Sequence, residues 1–156
     1  MNEMSGTVLH TKNIFTLMGF SMYDILIEQE KFVYDNNMKK HIVNIDSSEL
    51  REKWLHPLLS EMTNKIEQLY EVRVNRVRLN LYKNGDKYDD NNDDIFKTKY
   101  SSVFIVTTGA SRYFSDEYLL EDGDMLYFNG KNHDNIKKSS SEDVKTPSIS
   151  IIFLVY

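Results

Sequence analysis

Asp89, Asn91 and Asp93 alternate within the acidic run 86–94, a spacing that imitates the opening of a calcium-binding loop. Such a loop needs glycine at its sixth place and a bidentate glutamate at its twelfth. The sixth place here is not glycine and Tyr100 stands at the twelfth, so a solvated acidic loop is the reading the residues favour. Arg73, Arg76 and Arg78 form a short basic stretch that could touch phosphate, but no aromatic-interleaved basic patch surrounds it. His10, His41 and His56 show no metal-ligand spacing, and no arrangement of serine, histidine and aspartate points to a catalytic triad. No glycine-rich phosphate loop is present. With no cysteine anywhere, thiol nucleophiles, disulfides and cysteine-ligated zinc are all excluded.

These residues must be held by elements that the hydrophobic pattern locates. Asp46 with Glu49 three residues later makes a capping box, and Leu50, Trp54, Leu58, Met62, Ile66 and Leu69 follow at helical spacing. Pro57 falls inside that pattern and should kink or restart the helix, because proline supplies no amide donor. From Val72 the period changes to two: Arg76, Arg78, Asn80 and Tyr82 alternate with Val77, Leu79 and Leu81, which predicts a strand with one polar and one apolar face. An Asn84-Gly85 turn follows, then the acidic loop 86–94. A strand fits 101–108. Segments 118–120 and 125–129 flank Glu121-Asp122-Gly123-Asp124 and read as a β-hairpin. Segment 137–144 reads as a polar loop, and 148–156 as a final strand that is apolar on both faces from Ile151. Residues 8–45 mix aromatics and charges and fit either strands or a short helix.

The chain has 156 residues, 40% apolar and 28% charged, which suits one soluble globular domain. We expect a single unit, with 1–71 as helical and strand support and 72–156 as a β-rich core. No apolar run reaches the length of about 18 residues that a membrane helix needs, and the N-terminus lacks the pattern of a secretory signal. An intracellular setting without membrane contact is therefore expected. The net charge of −5 disfavours a general nucleic-acid partner, which requires a cationic surface. Asn, Lys and Ile supply about a quarter of the chain, a bias typical of AT-rich coding, and a virus-encoded protein of an infected host cell is one source of it.

The later half resembles the AlkB family of 2-oxoglutarate/Fe(II) dioxygenases through motifs that fall in order. They are Asn80-Leu81-Tyr82, the stretch Gly109 to Phe114 with Arg112 inside it, Gly123-Asp124 opening a strand, and Pro147 with the strand to Leu154. The resemblance implies an α+β, mainly β fold: a double-stranded β-helix, or jelly roll, with N-terminal helical support. It also implies a metal held by two histidines and one carboxylate. The family's His-x-Asp pair falls on Asn92-Asp93-Asp94, so Asp94 keeps a carboxylate while Asn92 has replaced a histidine. The distal histidine corresponds to His133, closer to Gly130 than the family pattern has it, with Asp134 in the alternative alignment.

In the family, two arginines of the final strand grip the co-substrate's carboxylates, with the planar bidentate geometry that suits them. Ser148 and Leu154 occupy those positions, with Ser150 and Ile152 between them on the same face. Asn80 and Tyr82, which also touch co-substrate in the family, are retained, and both also fit a structural role. Arg76 or Arg78, on the Asn80 face, is a candidate replacement cation, although a solvated or internally paired arginine fits as well.

The resemblance thus leads us to expect an inactive pseudoenzyme with no cofactor, working through a protein partner or as a structural module. The alternatives are two. One is an active dioxygenase using Fe(II) on Asp94 and His133, with 2-oxoglutarate on Asn80, Tyr82 and a relocated arginine, oxidising N-alkyl groups on nucleic acid or protein. The other is a nucleic-acid-binding remnant without chemistry.

Overall fold

The computed structural model describes residues 8–15, 21–89, 99–129 and 139–156. Asp46 closes the capping box that the sequence predicts: its side chain accepts from the Glu49 amide at 3.0 Å, and Glu49 Oε2 accepts from the Asp46 amide at 3.2 Å. The helix that follows, α2 (Ser47–Leu50), is nevertheless only one turn long. The chain then leaves helical geometry, and α3 (Pro57–Tyr70) restarts with Pro57 in the first turn, where no amide donor is needed. Of the two outcomes open for Pro57, restart is the one observed. Trp54 lies in the intervening turns and is 75% exposed, so the helical spacing that included it does not continue through 51–56. Leu69 is also exposed, because the buried stripe of α3 runs through Leu58, Leu59, Met62, Thr63 and Ile66. The ambiguous first segment resolves into both types: β1 (Val8–Thr11), α1 (Met22–Gln29), β2 (Val33–Asp35) and β3 (Lys40–Asp46).

The remaining strands are β4 (Arg76–Tyr82), β5 (Lys87–Asp89), β6 (Ser102–Gly109), β7 (Arg112–Phe114), β8 (Tyr118–Leu120), β9 (Met125–Asn129), β10 (Ser139–Asp143) and β11 (Ser148–Val155). Seven form one antiparallel sheet in the order β1-β9-β6-β11-β4-β3-β2. Its centre is β11, buried at all eight positions, as a strand apolar on both faces must be. One face packs on the helices: Val77, Leu79, Leu81, Phe104, Ile149, Ile151 and Phe153 share a core with Met22, Leu26, Leu59, Met62 and Ile66. The opposite face meets β7 and β8, where Val103, Ile105, Leu126, Phe128, Ile152 and Leu154 enclose Phe114 and Leu120.

Three sequence expectations need correction. The segments 118–120 and 125–129 are not a hairpin, since β8 pairs with β7 while β9 pairs with β6 and β1. The turn between them is tied into the large sheet by Gly123 N–H donating to the Thr107 carbonyl (2.8 Å) and Thr107 N–H to the Asp124 carbonyl (3.2 Å), so the chain changes layers there. Residues 87–89 of the supposed acidic loop are strand β5, and 139–143 of the supposed polar loop are strand β10. The two pair with each other, and the amides of Gly85 and Val144 donate to the carbonyls of Val144 and Asp86 beside that ladder. Ladder bonds come from backbone, so polar side chains did not prevent the pairing.

Candidate functional site

The inner face of the large sheet, turned away from the helices, is ordered in rows by strand register. Tyr82, Ser148 and Gly109 are cross-strand neighbours, and the next row is Asn80, Ser150 and Thr107. Then come Arg78, Ile152, Ile105 and Leu126, and after them Arg76, Leu154, Val103 and Phe128. Across the two central strands the face is polar at one end and apolar at the other. At the apolar end Ile152 and Leu154 are fully buried, packed with Phe114, Leu120, Leu126 and Phe128. At the polar end Thr107 Oγ1 is buried and has no hydrogen-bond partner among the described residues.

Arg112 covers this polar end. It alternates with exposed Tyr113 on β7, so its side chain and that of Phe114 turn inward together. The guanidinium is fully buried; Nη1 donates to Ser150 Oγ at 3.0 Å and Nε to the Tyr113 carbonyl at 3.3 Å. It stands 5.1 Å from the Tyr82 ring centroid and 5.6 Å from that of Phe114, within cation–π range. The sequence motif gave Arg112 no role. Its one local signal was an arginine in step with an inward phenylalanine on a short strand.

Lys40 is a second buried cation that sequence reasoning missed. It is 3% exposed, its Nζ donates to the Tyr82 hydroxyl at 3.3 Å, and it lies 5.2 Å from that ring's centroid. An open groove of about 550 Å³, lined in part by Lys39, Lys40, Asp86 and Lys87, leads up to it. Two cations thus lie against the Tyr82 ring, Lys40 and Arg112, neither of them the Arg76 or Arg78 that the sequence offered as a replacement. Arg78, one of the two candidate replacement cations, is fully buried; its Nε donates to Asn44 Oδ1 at 2.6 Å and its Nη1 contacts Met38 Sδ at 3.3 Å. Arg76 donates to the same Asn44 oxygen at 3.1 Å.

Asp124, from the Gly-Asp motif, serves as an anchor. Its fully buried carboxylate accepts from the amides of Asn13 (2.9 Å) and Glu121 (3.0 Å), and meets His10 Nε2 at 3.1 Å and Lys12 Nζ at 3.3 Å. Burial alone would raise its pKa, but the two amides with His10 and Lys12 together hold it below the ordinary carboxylate value. The opposite balance holds at Glu30, where burial dominates and raises the pKa, while His56 Nδ1, at 2.8 Å, pulls it down by less.

Asp94, His133, Asn92 and Asp134 all lie outside the described residues. Among the described residues, no group of three or more His, Cys, Asp or Glu side chains comes together as a metal site.

No family model matches the chain, and no curated protein matches its sequence. Solved structures do match. The non-heme alpha-ketoglutarate-dependent epimerase SnoN from nogalamycin biosynthesis is similar with a TM-score of 0.51 at 12% identity, covering 99% of this chain and 79% of that one. SnoN in complex with Fe3+, alpha ketoglutarate and nogalamycin RO gives 0.45 at 13% identity, covering 99% and 80%. A Pseudomonas putida prolyl-4-hydroxylase gives 0.46 at 10% identity, covering 99% and 95%. The fold is therefore the double-stranded β-helix of the 2-oxoglutarate/Fe(II)-dependent oxygenases, mainly β with helices on one face of its large sheet. No helix among the described residues is long and apolar enough to cross a membrane.

Proposed function

We propose that this chain is a catalytically inactive, AlkB-like version of that fold, which holds neither Fe(II) nor 2-oxoglutarate and acts as a protein-binding or structural module. The observation that carries the reading is the filled interior: Ile152 and Leu154 pack fully buried against Phe114, Leu120, Leu126 and Phe128. The resemblance puts co-substrate beside that strand. Each such side chain stabilises the fold by about 1.5–3 kcal/mol when fully buried, so opening the space for a dicarboxylate would oppose the fold's own packing. On the final strand the two positions matched to the family's arginines are Ser148 and Leu154, so that strand offers no cation to a dicarboxylate. A fold that no longer performs its chemistry acts through its surface.

Anaerobic titration with Fe(II) and 2-oxoglutarate tests the reading. We expect neither a metal-to-ligand charge-transfer band nor calorimetric heat. A saturable band that disappears in Asp94→Ala and His133→Ala would overturn it.

One observation supports a second reading, an active dioxygenase with a rearranged site. Arg112 brings a buried guanidinium within bonding distance of Ser150 and onto the Tyr82 ring, and so offers a cation from β7 instead of the final strand. On that reading Arg112→Ala abolishes 2-oxoglutarate binding while Arg76→Ala leaves it intact.

A further inference from the structure

β2 is the last strand of the large sheet, and among the described residues no strand pairs with its outer edge. Such an edge presents unpaired amides and carbonyls, and proteins usually blunt it with proline or charge at its centre. Here the centre is apolar: Val33 is 58% exposed and Tyr34 49% exposed. The chain is already extended as it leaves α1, with Glu30 at φ −104° and ψ 145°. An open groove of about 310 Å³ runs beside the strand, lined in part by Lys31, Val33, Tyr34 and Asp35.

The segment Lys31-Phe32-Val33-Tyr34-Asp35 is complementary to itself when reversed. Laid antiparallel against a second copy about Val33, with β2 lengthened by two residues at its start, it sets Lys31 opposite the second copy's Asp35. Phe32, half-buried against the helix-side core, then stands opposite the second copy's Tyr34, with Val33 against Val33. Directly opposed residues share a face, so the charge pairs form on one side of the ribbon and the aromatic pairs on the other. The register centred on Tyr34 sets Lys31 against Asn37 and Val33 against Asp35, and loses every one of these pairings.

We propose that the chain self-associates through β2, pairing antiparallel about Val33 to join two seven-stranded sheets into one. The contact is isologous: a two-fold axis through Val33 uses the same edge of both copies and closes on itself, so it yields a dimer and not a filament. This inference stands whether or not the interior holds iron.

The test uses the full chain. In sedimentation across rising protein concentration, the species is expected to approach twice 18.4 kDa. Lys31→Glu, which faces Asp35 with a like charge, should weaken the dimer by about tenfold or more. Because the chain has no cysteine, Val33→Cys introduces a single thiol that meets its twin across the axis. Mild oxidation should cross-link that variant into a covalent dimer, while Tyr34→Cys, opposite Phe32, cross-links poorly. Both positions are exposed, so the folded state is retained, and circular dichroism checks it. A wild-type monomer at every concentration overturns the proposal. So does a dimer indifferent to Lys31→Glu, preferential cross-linking of Tyr34→Cys, or β2 pairing only with a foreign extended peptide.

Discussion

A guanidinium taken fully out of water must be held by dipoles, ring faces and counter-charge, because its desolvation costs several kcal/mol. Arg112 meets that demand partly through Ser150, the Tyr113 carbonyl and two aromatic rings. Truncating it removes charge-assisted bonds and leaves a void, so Arg112→Ala should destabilise the fold by about 3–5 kcal/mol. Arg112→Met, which fills much of the volume without leaving a buried charge, should recover part of that loss. Urea unfolding measures both. Asp124 gives a prediction in pH. Its folded pKa lies below the ordinary value of 3.8, so its contribution is fully present above that value and is lost as pH falls through the folded one. The stability gap between wild type and Asp124→Asn should therefore narrow on acidification below about pH 4. Glu30 has the opposite sign: with its folded pKa above 4.5, its contribution is present below that value and is lost as pH rises through the folded one.

Strand β11 sets the character of the interior. Its outer row, Ile149, Ile151 and Phe153, meets the helices, and its inner row turns from Ser148 and Ser150 to Ile152 and Leu154. Restoring the cation of the resembled family by Leu154→Arg would place a charge among Val103, Phe114 and Phe128. We expect that variant to unfold at markedly lower urea, by about 3–5 kcal/mol, and to gain no affinity for 2-oxoglutarate. Gly109 marks where β6 ends. It has φ +92°, and a Cβ there would lie 2.9 Å from the Pro147 carbonyl oxygen and from Tyr23 Cδ2. Gly109→Ala should cost about 1–3 kcal/mol in thermal or urea unfolding. At this scale the long strands were legible because their patterns were complete: β4 alternates strictly, and β11 is apolar on both faces. The corners were not. β5 and β10 are polar strands recognisable only through each other, and β8 sits next to β9 in sequence but pairs in a different layer. The burial of Arg112 and Lys40 is likewise a product of tertiary packing, which strand period alone does not encode.

At the scale of the whole molecule, the large sheet joins both halves of the sequence: β1 forms one edge, β3 and then β2 close the other side, and β11 from the later half runs through its centre. The fold alone carries no chemistry. The proposal of inactivity rests on the sheet's inner face, a polar end beneath Arg112 and an apolar end closed by Leu154. A ligand that binds only the folded state raises its melting temperature, by an amount set by concentration over dissociation constant. The most direct measurement is therefore the Tm of the purified protein with millimolar 2-oxoglutarate and Mn(II) standing in for Fe(II), against buffer alone. An unchanged Tm across the ligand range is the result this account expects. A saturable rise that needs both 2-oxoglutarate and metal would contradict it.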